Sequence, residues 1–300
     1  MMPNFIVIGA PRAGTTSLYH YLCQHPQVMM SRIKETNYFA YLASRAEPGF
    51  HPGPTTLWPV KNLTEYKALF RGGESMAMGE ASPLYFFAPG TAQQIKLHIP
   101  DVRLVVILRN PVERAYSAYL KNRREGIETS AFADRIMQEI HHPEMVVCSE
   151  HYYLRAGMYF ERISDYLQHF ERSQLKIVFQ EGLQSDPAGL MGELFAFLGV
   201  DSGFVPDTSV RFNQSLPPML VKSSGNRRLL KEITRRVREF IPRKVYYSLL
   251  NFGYFVNKNL PGYSQLEKQT TLLLLERYRQ DILNLQNFLG RDLSHWLVTE

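Results

Sequence analysis

The chain alternates short apolar runs with stretches of helical spacing. Phe5-Ile6-Val7-Ile8 is apolar at every position and closes on Gly9. A run without polar alternation reads as a parallel strand covered on both faces. Thr15 to Gln24 then places Leu18, Tyr21 and Leu22 on one side of a helix, which His25-Pro26 ends. Val28-Met29-Met30 and Met76 to Gly79 are further strand candidates, and Val102 to Leu108 is the strongest. That run passes through Arg109-Asn110 into Pro111, a residue suited to the first turn of a helix. The pattern predicts a helix over Leu154 to Phe170, a strand over Leu175 to Phe179, and a helix over Pro187 to Leu198 stopped by Gly199. A long final helix spans Thr270 to Leu289 and closes at Gly290, while Arg45 to Pro59 is rich in Gly and Pro and reads as loop. Strands alternating with helices predict an α/β fold, a parallel sheet flanked by helices.

The length of 300 residues suits one domain spanning 1–300. Hydrophobic residues at 45% and charged residues at 21% exclude a disordered chain. Cys23 and Cys148 are too few for a disulfide framework and are expected as buried or half-buried thiols of a reducing compartment. His141, His142 and His151 match no ligand spacing, so no metal is expected. A strand beginning at Phe5 leaves no room for a signal peptide, and no apolar run reaches the ~20 residues of a membrane span. The expected location is cytoplasmic.

The net charge of +6 is local. Between Lys222 and Lys244 nine basic residues face only Glu232 and Glu239, a segment charge of +7 that leaves −1 for the rest. Val245 to Val256 follows, apolar and aromatic. Residues 200–262 are therefore expected to form a basic and aromatic helical elaboration near the C-terminus. Three readings compete: a solvated helix beside a core helix, a lid over an acidic or lipid-like acceptor, and a peripheral membrane or acidic-partner contact through 222–256. Nucleic acid is not an expected partner, because no recognition motif accompanies the charge.

The first strand runs into Gly9-Ala10-Pro11-Arg12-Ala13-Gly14-Thr15-Thr16-Ser17, with two glycines five apart as in a phosphate-binding P-loop. Such a loop turns successive N–H groups and the positive end of a helix toward an anion. The lysine of a nucleotide kinase would stand at position 15, where this chain has Thr15, and the cation sits earlier, at Arg12. One cation with several hydroxyls suits a smaller anion than a Mg²⁺-bound triphosphate. The next strong strand delivers Arg109 to its C-terminal end, where open parallel sheets bind ligands, and Ser117 lies two turns into the following helix. Arginine with a hydroxyl is a clamp for a phosphate monoester, though Arg109 alone also fits a structural ion pair.

Residues 9–17 resemble the 5′-phosphosulfate loop of sulfotransferases that use 3′-phosphoadenosine 5′-phosphosulfate (PAPS). Leu108-Arg109-Asn110-Pro111-Val112-Glu113-Arg114-Ala115-Tyr116-Ser117-Ala118-Tyr119 resembles their 3′-phosphate segment. The similarity is to the heparan-sulfate-type and small bacterial branches and covers most of the chain, including Gln180-Glu181-Gly182-Leu183 and the ending Leu289-Gly290 to Trp296. The resemblance implies the sulfotransferase fold and a donor held by Arg12, Ala13, Gly14, Thr15, Thr16, Ser17, Arg109 and Ser117, leaving PAP as product. It also places a general base at Glu35, in Lys34-Glu35-Thr36-Asn37-Tyr38-Phe39, with Arg12 supporting the leaving phosphate.

Burial against Tyr38 and Phe39 is expected to raise the basicity of Glu35, and the competing reading is a surface Glu paired with Lys34. His20, His25 and His151 are lower-ranked alternatives, since other branches use histidine. Where the heparan-sulfate-type branch has an acceptor-side lysine, this chain has Ala81, which weakens an anionic-glycan reading. The acceptor could be a sugar, lipid, polyketide, peptide or phenol, and nothing in the sequence sets the oligomeric state. A P-loop kinase or nucleotide-binding regulator and a non-catalytic PAP-binding protein are the competing functions.

Overall fold

The computed structural model describes residues 1–46, 53, 56–70, 76–143, 151–209 and 266–298. Arg227–Phe240, Val245–Val256 and Cys148 lie outside the described residues, and of the expected 200–262 elaboration only 200–209 are described.

Five strands form one sheet: β1 (Phe5–Gly9), β2 (Val28–Met30), β3 (Ala77–Ala81), β4 (Arg103–Leu108) and β5 (Leu175–Phe179). Their spatial order is β2-β3-β1-β4-β5, with every neighbouring pair parallel. All five residues of β1 and all of β4 after Arg103 are buried, as an unbroken apolar run requires at the centre of a sheet covered on both faces. The register sets Ile6 opposite Glu80 and Val7 opposite both Ala81 and Val105. The strand expected over Met76 to Gly79 thus extends to Ala81 and carries a glutamate into the interior.

The helices are α1 (Thr15–Leu22), α2 (Tyr38–Ala46), α3 (Leu63–Ala68), α4 (Thr91–His98), α5 (Pro111–Glu125), α6 (Phe132–His141), α7 (Tyr159–Leu167), α8 (Gln180–Ser185), α9 (Pro187–Leu198) and α10 (Lys268–Leu289). The best-predicted ones have their ends written locally. In α5, Pro111 opens the first turn, the Asn110 side chain accepts from the N–H of Val112 and Glu113, and Gly126 closes the helix left-handed. In α9, Asp186 caps Gly189 N–H and Gly199 terminates. The sequence pattern does not predict α2, α3, α4, α6 or α8, and the expected loop over Arg45 to Pro59 gives up Arg45 and Ala46 to the end of α2.

Two expectations are corrected. The helix expected over Leu154 to Phe170 is instead a 3-10 turn at Arg155–Gly157 followed by the shorter α7. The Tyr278 hydroxyl of α10 donates to the Leu154 and Tyr153 carbonyls at 3.0 and 3.2 Å, and the Glu139 carboxylate accepts from Leu154 and Arg155 N–H, both at 2.7 Å. These partners hold the backbone out of a helix until Phe160 and Glu161 N–H reach the Asp281 carboxylate, at 3.0 and 3.2 Å, which caps α7 from α10. Cys23 is exposed rather than half-buried, one position past the buried Leu18, Tyr21 and Leu22 of α1.

Candidate active site

The loop after β1 turns sharply into α1. Arg12 has φ 69° and Gly14 φ 106°, both left-handed. Glycine is required at 14 on two counts: a side chain would be strained there, and its Cβ would stand 3.1 Å from Leu183 Cδ1. As the N-cap residue, Gly14 also brings no side chain to compete for the first-turn N–H groups of α1. Ala13, Thr15 and Ser17 are buried beside it, and Thr16 is half-buried. The loop is tied to the neighbouring strand by Ala10 N–H donating to Ile107 O at 2.8 Å.

The two expected anion sites meet in this crevice, at the C-terminal ends of β1 and β4. Arg12 Nε donates to Ser117 Oγ at 3.2 Å, and Arg109 Nη1 to the Arg12 carbonyl at 3.4 Å. The Tyr159 hydroxyl holds the Arg109 carbonyl at 2.8 Å. Arg109 also makes the ion pair that was its alternative reading: Nε and Nη2 reach Glu113 Oε2 at 2.9 and 2.7 Å, one turn along α5. Burial pulls the Arg12 guanidinium down to about 10, and Arg124, Arg109 and Arg114 push it the same way, against Glu125 alone. Arg114 and Arg124 act on Arg12 from the face of α5 that also carries Ser117, and Arg109 acts on it from the end of β4. This excess of guanidinium over carboxylate fits a multiply charged anion.

The segment 34–39 follows β2 at the same end of the sheet. Glu35 N–H donates to Ala81 O at 2.9 Å, so the turn is moored to the end of β3. Glu35 and Asn37 both have left-handed backbones, φ 63° and 51°. The expected burial of Glu35 is corrected. Its side chain is 54% exposed and pairs with Lys34 Nζ at 2.6 Å, because the turn sends it outward while Tyr38 and Phe39 go into the core against Tyr66.

Of the histidines, His25 is buried between Phe195 and Phe204. Its Nδ1 accepts from Gln27 N–H at 3.0 Å, so Nε2 carries the proton and donates to Asp201 O at 2.9 Å, a structural arrangement. His151 Nε2 lies 3.8 Å from the Glu128 carboxylate, and His20 stacks edge-on against Tyr19.

Sequence reasoning missed Glu80, which is fully buried. Its Oε1 accepts from the Tyr66 and Tyr85 hydroxyls at 2.7 and 2.9 Å. Its Oε2 accepts from Thr36 and Ser82 at 2.5 and 2.7 Å. Burial pushes this carboxyl up, and the four hydroxyls draw it back down. The available signal was a lone glutamate inside the otherwise uncharged strand Ala77–Ala81.

The model of the sulfotransferase domain family matches residues 2–214. A crystal structure of a sulfotransferase from Alicyclobacillus acidocaldarius superposes with a TM-score of 0.74 at 28% identity, covering 99% of both chains. Heparan sulfate glucosamine 3-O-sulfotransferase 3B1 of Homo sapiens is 27% identical over 255 residues, 80% of this chain and 60% of that protein. The membrane-associated sulfotransferase kil1 of Dictyostelium discoideum is 37% identical over 119 residues, 39% of this chain and 22% of that protein. The chain thus spans less than two thirds of the length of these two curated relatives.

Proposed function

The chain belongs to the sulfotransferase domain family, and from that premise we propose that it transfers a sulfuryl group from PAPS to a hydroxyl or amine of an acceptor. The observation that carries this reading is the Arg12–Ser117 contact, with Arg109 on the Arg12 carbonyl, since it joins the 5′ and 3′ anion sites into one crevice. Residues 13–17 and Arg12 hold the 5′-phosphosulfate, and Arg109 with Ser117 holds the 3′-phosphate. Arg109 must turn part of its fork away from Glu113, and since Glu113 is 58% exposed that exchange costs at most ~1 kcal/mol.

In the transfer, the acceptor oxygen or nitrogen bonds to sulfur as the sulfur–oxygen bond to the 5′-phosphate breaks. Glu35 takes the acceptor proton. The electron pair leaves on the phosphate oxygen, where Arg12 meets the growing charge and PAP is released. Positioning and fixed charge carry most of the barrier reduction, as in phosphoryl transfer. An exposed Glu35 is open to an acceptor arriving from solvent, and its pairing with Lys34 Nζ at 2.6 Å holds the side chain at that surface.

The acceptor is proposed to be a small molecule, glycan or lipid without dense negative charge. Ala81 is fully buried and its carbonyl is used by Glu35 N–H, so no acceptor-side cation stands there. The test is release of labelled sulfate from PAPS with water as acceptor. Glu35→Gln should slow it about 100-fold while PAP affinity is unchanged, and near-wild-type turnover would remove Glu35 from the role.

A further inference from the structure

Glu80 is a buried carboxylate with no cation among its described partners. Four hydroxyls surround it, from Thr36, Tyr66, Ser82 and Tyr85. A hydroxyl has one proton and two lone pairs. Three of these hydroxyls also accept a backbone N–H: Ser82 Oγ from Asn37 at 3.1 Å, Thr36 Oγ1 from Tyr38 at 3.4 Å, and Tyr85 OH from Phe39 at 3.2 Å. Each can accept there only while its own proton points to another acceptor, and the carboxylate is that acceptor for all three.

The three N–H groups belong to the residue before α2 and to its first two residues, which have no partner inside the helix. Glu80 therefore caps α2 at one remove, and the positive end of α2 offsets the buried negative charge. Nothing in β3 would otherwise hold the 35–39 turn beyond the single bond from Glu35 N–H to Ala81 O.

We propose that Glu80 is a positioning residue for sulfuryl transfer: through Thr36, Ser82 and Tyr85 it fixes the left-handed turn that presents Glu35. The inference rests on Glu35 being the base. Tyr66 supplies the internal control, because its hydroxyl bonds Glu80 yet accepts none of the three N–H groups. Tyr66→Phe and Ser82→Ala each take one donor from the carboxylate, but only Ser82→Ala releases a backbone N–H of the turn. Glu80→Gln forces two hydroxyls to accept from its NH₂ group and so to compete with the turn.

The experiment measures, for full-length Glu80→Gln, Ser82→Ala, Tyr66→Phe and Glu35→Gln, four quantities: amide hydrogen exchange of residues 35–39, PAP affinity, PAPS turnover with water as acceptor, and the denaturation midpoint. Exchange at 37–39 should quicken about tenfold, and turnover fall about tenfold, in Ser82→Ala and Glu80→Gln at unchanged PAP affinity. Tyr66→Phe should keep both, whatever its midpoint. Parallel losses in Tyr66→Phe and Ser82→Ala, tracking the midpoint, would reduce Glu80 to a fold-stabilising group. Should Glu80→Gln fail to fold, Ser82→Ala against Tyr66→Phe decides the matter alone. Wild-type turnover in Glu35→Gln would refute the base, while exchange at 37–39 would still judge the clamp.

Discussion

Arg12 should cost the unliganded protein stability. Its guanidinium is pulled down from the usual arginine range to about 10, by burial first and then by Arg124 and Arg109. At ~1.4 kcal/mol per pH unit this environment disfavours the charged form by up to about 3 kcal/mol. Water reaching the half-buried side chain, and the 3.2 Å bond from Nε to Ser117, bring the net to ~1 kcal/mol. The sign follows from linkage: the group is a base whose folded value lies below its unfolded one. Above pH ~10 the unfolded chain binds more protons than the folded one, so the penalty is fully present below that pH and fades as pH rises past it. Arg12→Gln removes the charge at a position where φ is 69°, and glutamine meets the same backbone cost as arginine. By scanning calorimetry at pH 7, the variant without ligand should melt about 2 °C above the parent. Saturating PAP should reverse the order, raising the parent well above the variant, because the anion that relieves the crowding has lost its nearest cation. A variant that melts several degrees lower and keeps the full PAP response would refute the electropositive-crevice argument.

Glu113→Ala frees the Arg109 fork, and loss of a surface pair worth up to ~1 kcal/mol should tighten PAP by up to about fivefold in a binding titration; weaker binding would mean that Glu113 aims Arg109 instead of competing for it. Asp281→Ala removes the cap of α7 and should lower Tm by about 4 °C without changing PAP affinity; an unchanged Tm would show that α10 does not hold α7. Of the three readings of 222–256, the membrane contact predicts co-sedimentation with vesicles containing phosphatidylserine, lost at high salt, and none with phosphatidylcholine alone; equal pelleting with both, or with neither, removes that reading.

What could be read from the sequence was written in contiguous strings. The apolar run into Gly9 and Gly14, and the strand delivering Arg109 ahead of the Asn110–Pro111 cap, are local features, and the structure brings their residues together. The aromatic neighbours Tyr38 and Phe39 suggested a buried Glu35, and that reading failed because left-handed residues at 35 and 37 turn its side chain outward, a backbone choice that hydrophobic periodicity does not encode. The Glu80 cage was illegible because its hydroxyls come from positions 36, 66, 82 and 85, which meet only once β2, β3 and α3 have packed. The shortened α7 has the same cause at longer range, since Tyr278 and Asp281 lie more than a hundred residues along the chain from the backbone they hold.

The central claim is that this crevice holds the donor nucleotide. Titration of the full chain with PAP by calorimetry, against ATP with Mg²⁺, tests it most directly. Tight PAP binding, weakened about 30-fold or more in Arg109→Ala through the loss of ~2 kcal/mol of charge-assisted hydrogen bonding, is the predicted result. Binding of ATP with no response to PAP would contradict it.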